Sequence, residues 1–273
     1  MIFSVLISIY YTESSIILNR ALTSIWDDQY LKPSQIVLVK DGPLTKDLDI
    51  TLEIWKKRLN EIIEIVSIPK NIGLGAALAI GLNHCKCDVV ARMDTDDISL
   101  PHRFSTQISY LEKNPNIHLL GAHISEFKND ENKLLLTRKV PLKHEDILAR
   151  AKTMNPFNHP SVVYRKSAVQ QSGGPINFTG FDDYFLWVRM LINDCRSHNI
   201  DDVLLLMRTG NGLIKRRGGL NYAIQEFKFQ RMLYKLNFNN SYYYFKNILT
   251  RVPLRVFPEC VLKLIYKYIL RKK

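Results

Sequence analysis

The sequence predicts an α/β protein built on a mostly parallel sheet with helices on both faces. Two patterns carry that reading. Strand-like and helix-like segments alternate through the first half of the chain, and repeated β-α units of this length favour parallel pairing. One of the strands, Val89 to Met93, breaks off abruptly in the acidic cluster Asp94-Thr95-Asp96-Asp97. Composition agrees: 273 residues, 46% hydrophobic and 23% charged, are enough to bury a substantial core and too apolar to stay disordered.

Taken in order, Ile2–Tyr10 reads as a buried strand and Ser14–Trp26 as a helix capped by Thr12 or Ser14. Gln35–Lys40 is a short β-branched strand closed by the turn Asp41-Gly42-Pro43. A helix over Leu48–Leu59, a strand over Glu61–Ile68 and a small-residue helix over Asn71–Cys85 follow, and then the strand Asp88–Met93. Arg103–Lys113 is the next helix and Ile117–Ile124 the next strand. Beyond Gly121 the alternation loosens. Phe127–Lys133 reads as a polar loop, His144–Lys152 as a helix, Ser161–Tyr164 as a short strand, Phe181–Asn193 as an amphipathic helix and Val203–Arg208 as a strand. From Leu220 onward the pattern is helical. The expected organisation is a catalytic domain over 1–218, with halves 1–125 and 126–218, followed by a basic amphipathic helical extension over 219–273.

Alternation along a strand would put Asp94 and Asp96 on one face, about 7 Å apart along the chain. Crowded carboxylates repel unless a cation sits among them, and hard oxygen donors suit Mg²⁺ or Mn²⁺. Strand ends are also where open α/β sheets hold their ligands. An acidic turn capping the helix near Pro101 is the alternative.

Several function classes drop out. No apolar run approaches the roughly 20 residues a membrane-spanning helix needs. The N-terminus has neither a basic leader nor a small-residue cleavage site, so a cytoplasmic protein is expected. Of four cysteines, Cys85 and Cys87 are close while Cys195 and Cys260 are isolated, which supports neither a zinc site nor a disulfide framework. Residues 208–273 hold 15 Lys+Arg against 2 acidic residues, whereas residues 1–207 are nearly neutral. A high pI invites a nucleic-acid reading, but charge confined to one end argues for a near-neutral body with a basic appendage. In Pro258–Arg271, Glu259, Lys263, Lys267 and Arg271 recur every four residues against Val, Leu, Ile and Tyr. That pattern suits a helix lying in an anionic membrane interface with its lysines snorkelling, or one packed on the body with its lysines outward.

The motifs, taken together over residues 2–220, resemble glycosyltransferase family 2, the inverting sugar-nucleotide transferases of GT-A fold. The carriers are "FSVLISIYYTE", "VLVKDGP", "NIGLGAALAIGL", "ARMDTDDISLPHRF" and "FDDYFLWVRM", in the family's order, and "NHPSV" with "RRGGL" is similar to enzymes building O-antigen and exopolysaccharide units. The resemblance implies a UDP-sugar donor, with Ser8 and Tyr10 lining the base pocket, Asp41 accepting the uracil imide N–H, and Asn71 and Gly73 opening a donor-side helix. It implies Mn²⁺ or Mg²⁺ on Asp96, with Asp94 on metal or donor and Asp97 as turn cap or alternative ligand. Arg92, Arg216 and Arg217 would meet the diphosphate, all the more because Ala76-Ala77-Leu78 stands where many members carry an arginine. Asp183 would be the general base, with Asp182, Trp187 and His159 toward a lipid-linked saccharide acceptor, on an anionic membrane surface and without nucleic acid. Two rivals remain. A D-x-D phosphotransferase wants its acids after the first strand, which here ends in Tyr10-Tyr11-Thr12. A basic membrane- or nucleic-acid-binding protein explains the tail but neither acidic motif.

Overall fold

The computed structural model describes residues 1–210 and 218–256. β1 (Ser4–Ile9), β2 (Gln35–Asp41), β3 (Ile63–Ile68) and β4 (Val89–Met93) pair in parallel in the order β3-β2-β1-β4. β8 (Val163–Arg165) then joins β4 antiparallel, and β6 (Leu119–Phe127) joins β8 antiparallel. β9 (Ser197–Arg208) runs parallel to β6, and the two-residue β5 (Ile98–Ser99) closes that edge against β9. β7 (Leu134–Arg138) hangs off β6 as an antiparallel hairpin partner.

Alternation along the strands builds two cores, one on each face. Val5, Ile7, Ile36 and Leu38 point to the side covered by α1 (Ser15–Trp26), α2 (Lys46–Leu59) and α4 (Arg103–Lys113). Leu6, Val37 and Val39 point to the side covered by α3 (Leu74–His84), α5 (His144–Ala151), α6 (Lys166–Gln171) and α7 (Asp182–Ile192). Each helix buries one stripe. In α1 the buried set Leu18, Ala21, Leu22 and Ile25 follows the 3.6-residue period. In α2, Leu48, Leu52, Trp55 and Leu59 do so, Thr45 caps the start, and acids in the first turn with bases in the last complement the helix dipole.

The second half departs from the expected elements in instructive ways. β6 runs to Phe127 and is buried throughout, although His123, Ser125 and Glu126 interrupt its apolar pattern. β7 follows the expected loop, in a stretch where no element was expected; its Leu134 and Leu135 are exposed, so no buried alternation announced it. β9 starts six residues earlier than expected because Ser197–Ile200 pairs with Leu119–Ala122. The expected division at 125/126 falls inside β6, so the two halves share one sheet.

The C-terminal region is helical, as expected, and its described part packs on the body. α8 (Leu220–Lys235) and α9 (Ser241–Val256) form a hairpin that completes the second core. Phe229 is fully buried, stacks on Phe181 at 4.6 Å and tilts against Tyr184 at 4.7 Å. Beneath it, fully buried Glu226 takes hydrogen bonds from Arg251, Arg255 and Gln230. Arg251 also donates to Thr153 O, and Asn247 to Lys152 O at 2.8 Å. Two of the basic residues, Arg251 and Arg255, therefore meet a buried acid, and Arg251 also reaches the C-terminal end of α5, so α8 and α9 pack on the body. The segment 258–271 lies outside the described residues. No helix among the described residues is long and apolar enough to cross a membrane.

Candidate functional site

Because β1, β2 and β4 are parallel and in register, with Ile9 beside Lys40 and Ile7 beside Met93, their C-terminal ends meet at one edge. Ser8 there is half-buried, and Tyr10 is 36% exposed with its ring edge-on to Tyr11. An exposed aromatic at a strand end offers a flat apolar face of the kind that stacks on a base.

Asp41 acts first on its own chain. Its carboxylate accepts from Ile72 N at 2.7 Å, Gly73 N at 3.0 Å and Asn71 Nδ2 at 3.0 Å, and the residue is 3% exposed. A carboxylate offers about four acceptor positions, so three are committed to the turn entering α3. The turn closes tightly: Gly42 sits at φ +91°, and a Cβ there would lie 2.7 Å from Asn71 N. Asn177, a residue the sequence did not single out, caps α3 from a distance by donating to Ile72 O and accepting from Ala76 N.

At the end of β4 the acidic cluster forms a turn; the strand stops at Met93, because Ile98 and Ser99 cross over to pair with Leu206 and Leu205 on β9. Strand alternation therefore does not set the spacing of Asp94 and Asp96. Asp94 and Asp96 are half-buried, whereas Asp97 is 2% exposed and accepts from Arg208 N at 2.8 Å. Burial first, then the charges of Asp96 and Asp94, push the Asp97 carboxyl well above the usual carboxylate range. Arg208 clamps the same turn through Asp96 O at 3.1 Å while stacking over Phe127. From below, fully buried Arg103 donates to Arg92 O at 2.7 Å. Neither arginine was expected to matter in these roles, since their partners lie far away in sequence or on the backbone.

Arg92 also departs from expectation. Predicted to meet donor phosphates, it is 1% exposed and spends its guanidinium on Asp94, on His159 Nε2 at 3.0 Å and on Leu6 O. His159 is brought there because Arg92 N pairs with Val162 O, just beyond the short 3₁₀ turn His159–Ser161.

Across from this cluster, α7 begins with the second acidic pair. Asp182 turns back and accepts from Phe178 N at 2.7 Å; burial leads the causes that raise its carboxyl above the usual range. The role expected for it toward an acceptor is thereby replaced by one in the 178–181 turn. Asp183 stays 27% exposed at its side chain, and its Oδ2 accepts from Asn155 Nδ2 at 2.7 Å. His159 Nδ1 lies 4.0 Å from the same oxygen. Trp187, expected to face an acceptor, is fully buried among Phe157, His159 and Tyr164, so it supports His159 from behind. Arg216 and Arg217 lie outside the described residues.

The donor set at the acidic turn fits a divalent metal. Two half-buried carboxylates stand beside a third whose proton affinity is raised by burial and then by their repulsion, and a cation would relieve the repulsive part. Among the described residues no group of three or more His, Cys, Asp or Glu is arranged around one point. Protein ligation would be limited to Asp96 and Asp94, and diphosphate oxygens and water would complete the shell, which is how Mg²⁺ commonly binds.

Comparison with known proteins decides the family. The model for glycosyl transferase family 2 matches residues 4–173. The chain belongs to glycosyltransferase family 2. It is 37% identical to the Escherichia coli UDP-Gal:alpha-D-GlcNAc-diphosphoundecaprenol beta-1,3-galactosyltransferase, over 99% of this chain and 97% of that one. It is 39% identical to the amylovoran biosynthesis glycosyltransferase AmsE of Erwinia amylovora, over 97% and 98%. Among solved structures it superposes on S. aureus TarS 1-349 in complex with UDP-GlcNAc with a TM-score of 0.66 at 16% identity, covering 98% of this chain and 73% of that one. The Pyrobaculum calidifontis mannosyltransferase PcManGT, in complex with GDP-Man and Mn²⁺, gives 0.63 at 14% identity, covering 98% and 75%. Against a longer TarS chain the protein spans 43% of that length. The protein is thus a glycosyltransferase of GT-A fold, and both non-glycosyltransferase rivals fall.

Proposed function

We propose that this glycosyltransferase is inverting and metal-assisted, and moves a hexose or N-acetylhexosamine from a UDP-sugar to a sugar on polyprenyl diphosphate. The product would be part of an O-antigen or capsule repeat unit, made at the inner face of the plasma membrane. The observation that carries this reading is the arrangement of the two acidic motifs. Asp94 connects through Arg92 and His159 to the surroundings of Asp183, which supports one site with the acidic turn toward the donor diphosphate and Asp183 toward the acceptor.

In this mechanism the base stacks near Tyr10 and Ser8, and the turn held by Asp41, Asn71 and Gly73 shapes the nucleoside pocket. Mg²⁺ or Mn²⁺ on Asp96 and Asp94 would supply Lewis-acid stabilisation of the departing diphosphate. Asp183 takes the proton of the acceptor hydroxyl while that oxygen forms its bond to the anomeric carbon. The bond from that carbon to the diphosphate breaks on the opposite face, and its electron pair leaves with UDP. A single displacement inverts the anomeric configuration, so an α-linked donor gives a β-linked product.

Two surfaces support a lipid-linked acceptor. A groove of about 400 Å³ beside the 177–179 turn is lined by Lys228, Arg231 and Lys235, with Phe178 and Met232 at its apolar side. These cations, one face of α8, suit a diphosphate head. On α9 a stripe of Tyr242, Phe245, Leu249 and Val256 is exposed by more than half at every position. Apolar side chains in such a row, beside Lys246, suit the interface of an anionic bilayer. The names of the relatives supply the substrate pair to try first, UDP-galactose with α-GlcNAc-diphosphate-lipid. The testing experiment incubates the protein and Mn²⁺ with a panel of UDP-sugars and synthetic saccharide-diphosphate-lipids. Transfer with inversion from one UDP-sugar is expected. Transfer from none of them, or only with retention, would overturn the reading.

A further inference from the structure

We propose that His159 is a positioning residue for the base: Arg92 holds it as the Nδ1–H tautomer, and that N–H joins the Asn155 amide in fixing Oδ2 of Asp183, so that Oδ1 faces the acceptor hydroxyl. The inference rests on the assignment of Asp183 as the base.

Three geometric facts lead there. First, an arginine side chain only donates. Its Nε lies 3.0 Å from His159 Nε2, so Nε2 must be the accepting nitrogen. A neutral imidazole then carries its one proton on Nδ1. Burial, and next the charge of Arg92, hold the ring in that neutral form by lowering its proton affinity. Second, Nδ1 is buried and has no hydrogen-bond partner among the described residues. A buried polar atom without a partner is uncommon and asks for a reason. The carboxylate nearest to it is Asp183 Oδ2 at 4.0 Å, so an approach of about 1 Å makes the bond. Contacts of this kind are often long before substrate binds and tighten in the reacting complex.

Third, both donors converge on the same oxygen. Asn155 Nδ2 reaches Oδ2 at 2.7 Å, and the amide's orientation is set because its Oδ1 accepts from Phe157 N at 3.2 Å. No donor among the described residues occupies Oδ1 of Asp183. The carboxylate is therefore anchored through one oxygen and presents the other, which is what a base needs in order to meet one particular hydroxyl. The ring plane of His159 is held by Trp187, whose centroid lies 6.0 Å away. This arrangement also excludes His159 itself as the proton acceptor, because Nε2 is taken by Arg92 and Nδ1 already carries the proton. Since Arg92 also pairs with Asp94, the base is aligned by the same side chain that touches the donor turn.

Two substitutions separate positioning from mere support. His159→Gln keeps an acceptor for Arg92 at the reach of Nε2 and removes the N–H toward Asp183. His159→Asn keeps an amide N–H at the place of Nδ1 and removes the acceptor for Arg92. Single-turnover transfer and Tm are measured for both, with the donor and acceptor that the wild type uses fastest in the panel above, alongside Asp183→Asn. The expected result is a crossed pattern. Gln loses about 10–100-fold in turnover with unchanged donor KM and near-native Tm; Asn loses Tm but less turnover than Gln. A Gln variant within twofold of wild type, or turnover that simply follows Tm in both variants, would overturn the proposal. If Asp183→Asn itself keeps its turnover, the base assignment fails instead, and the two failures are told apart.

Discussion

The two acidic motifs invite direct comparison. In Asp96-Asp97 and in Asp182-Asp183, adjacent carboxylates take opposite parts. Asp97 and Asp182 turn inward, each accepts a backbone N–H, from Arg208 and Phe178, and each has its carboxyl raised chiefly by burial. Asp96 and Asp183 keep exposed surface on the site. The inward acid shapes a turn and thereby aims its neighbour. In this account each pair supplies one chemical group and one structural brace, and the brace is the acid whose carboxylate accepts a backbone N–H.

The sharpest way to break this comparison is at the donor turn. Asp96→Ala should abolish the metal-dependent rise in Tm that UDP with Mn²⁺ gives the wild type. Native-state binding at a hundredfold over Kd stabilises by about 2.7 kcal/mol, and a scanning thermal assay reads that directly. The free protein's Tm should stay near wild type. An unimpaired Tm rise in Asp96→Ala would remove Asp96 from the metal site.

Asp97→Ala should behave in the opposite way. It strands the Arg208 N–H and leaves a cavity, costing about 1–3 kcal/mol in denaturant unfolding. Ligand binding should weaken only as far as the turn loosens. If Asp97→Ala keeps full stability while losing metal-dependent UDP binding, the assignments of the two acids exchange.

A gentler effect tests whether α8 and α9 belong to the body. Burial pushes the Glu226 carboxyl up, but Arg251 and Arg255, with their hydrogen bonds, outweigh it and hold it below its ordinary value of 4.5. A carboxyl depressed on folding contributes stability that is full above its unfolded value and is lost as pH falls through its folded one. Acid unfolding of the wild type should therefore steepen below about pH 4.5, and Glu226→Gln should flatten that limb while lowering stability at pH 7. An unchanged acid limb would mean that the cluster contributes nothing to docking the hairpin.

The smallest expected change is on α9. Leu249→Asp alters a 74% exposed position, so Tm should move by no more than about 0.5 kcal/mol in equivalent stability. Sedimentation with anionic vesicles should fall, and salt should weaken what the wild type shows. Equal sedimentation of the two proteins would rule out the α9 stripe as the lipid-facing surface.

Much of the fold was legible because periodicity announced it. β1, β2, β4 and α1 were placed within two or three residues, and Arg103–Lys113 matches end to end. The sequence is least legible where burial and polarity disagree: only β7 goes unread, but the extent of β6 and the buried face of α8 are hidden as well. β6 carries Glu126 and His123 into the interior, β7 exposes its leucines, and α8 hides Glu226 at the centre of its buried face. A local reading takes such residues for surface, since the partners that satisfy them are distant. The site divides in the same way. The acidic turn and Asp183 stood out by residue type and order. Asn155, Asn177 and Arg208 did not, because their functions consist of contacts 28, 101 and 111 residues away. Arg92 and Trp187 were recognised as belonging near the site but assigned to substrate, since burial cannot be read from a motif.

The central claim, that one acid of each pair is chemical and its neighbour structural, is tested most directly on α7. Single-turnover rate and Tm are measured for Asp183→Asn and Asp182→Asn with saturating UDP-sugar and acceptor. The account predicts that Asp183→Asn loses about 10²–10⁴-fold in rate with Tm and UDP binding intact, while Asp182→Asn keeps most of its rate and loses Tm. An Asp183→Asn enzyme with more than about a tenth of the wild-type rate, or an Asp182→Asn enzyme that is stable and inactive, would contradict it.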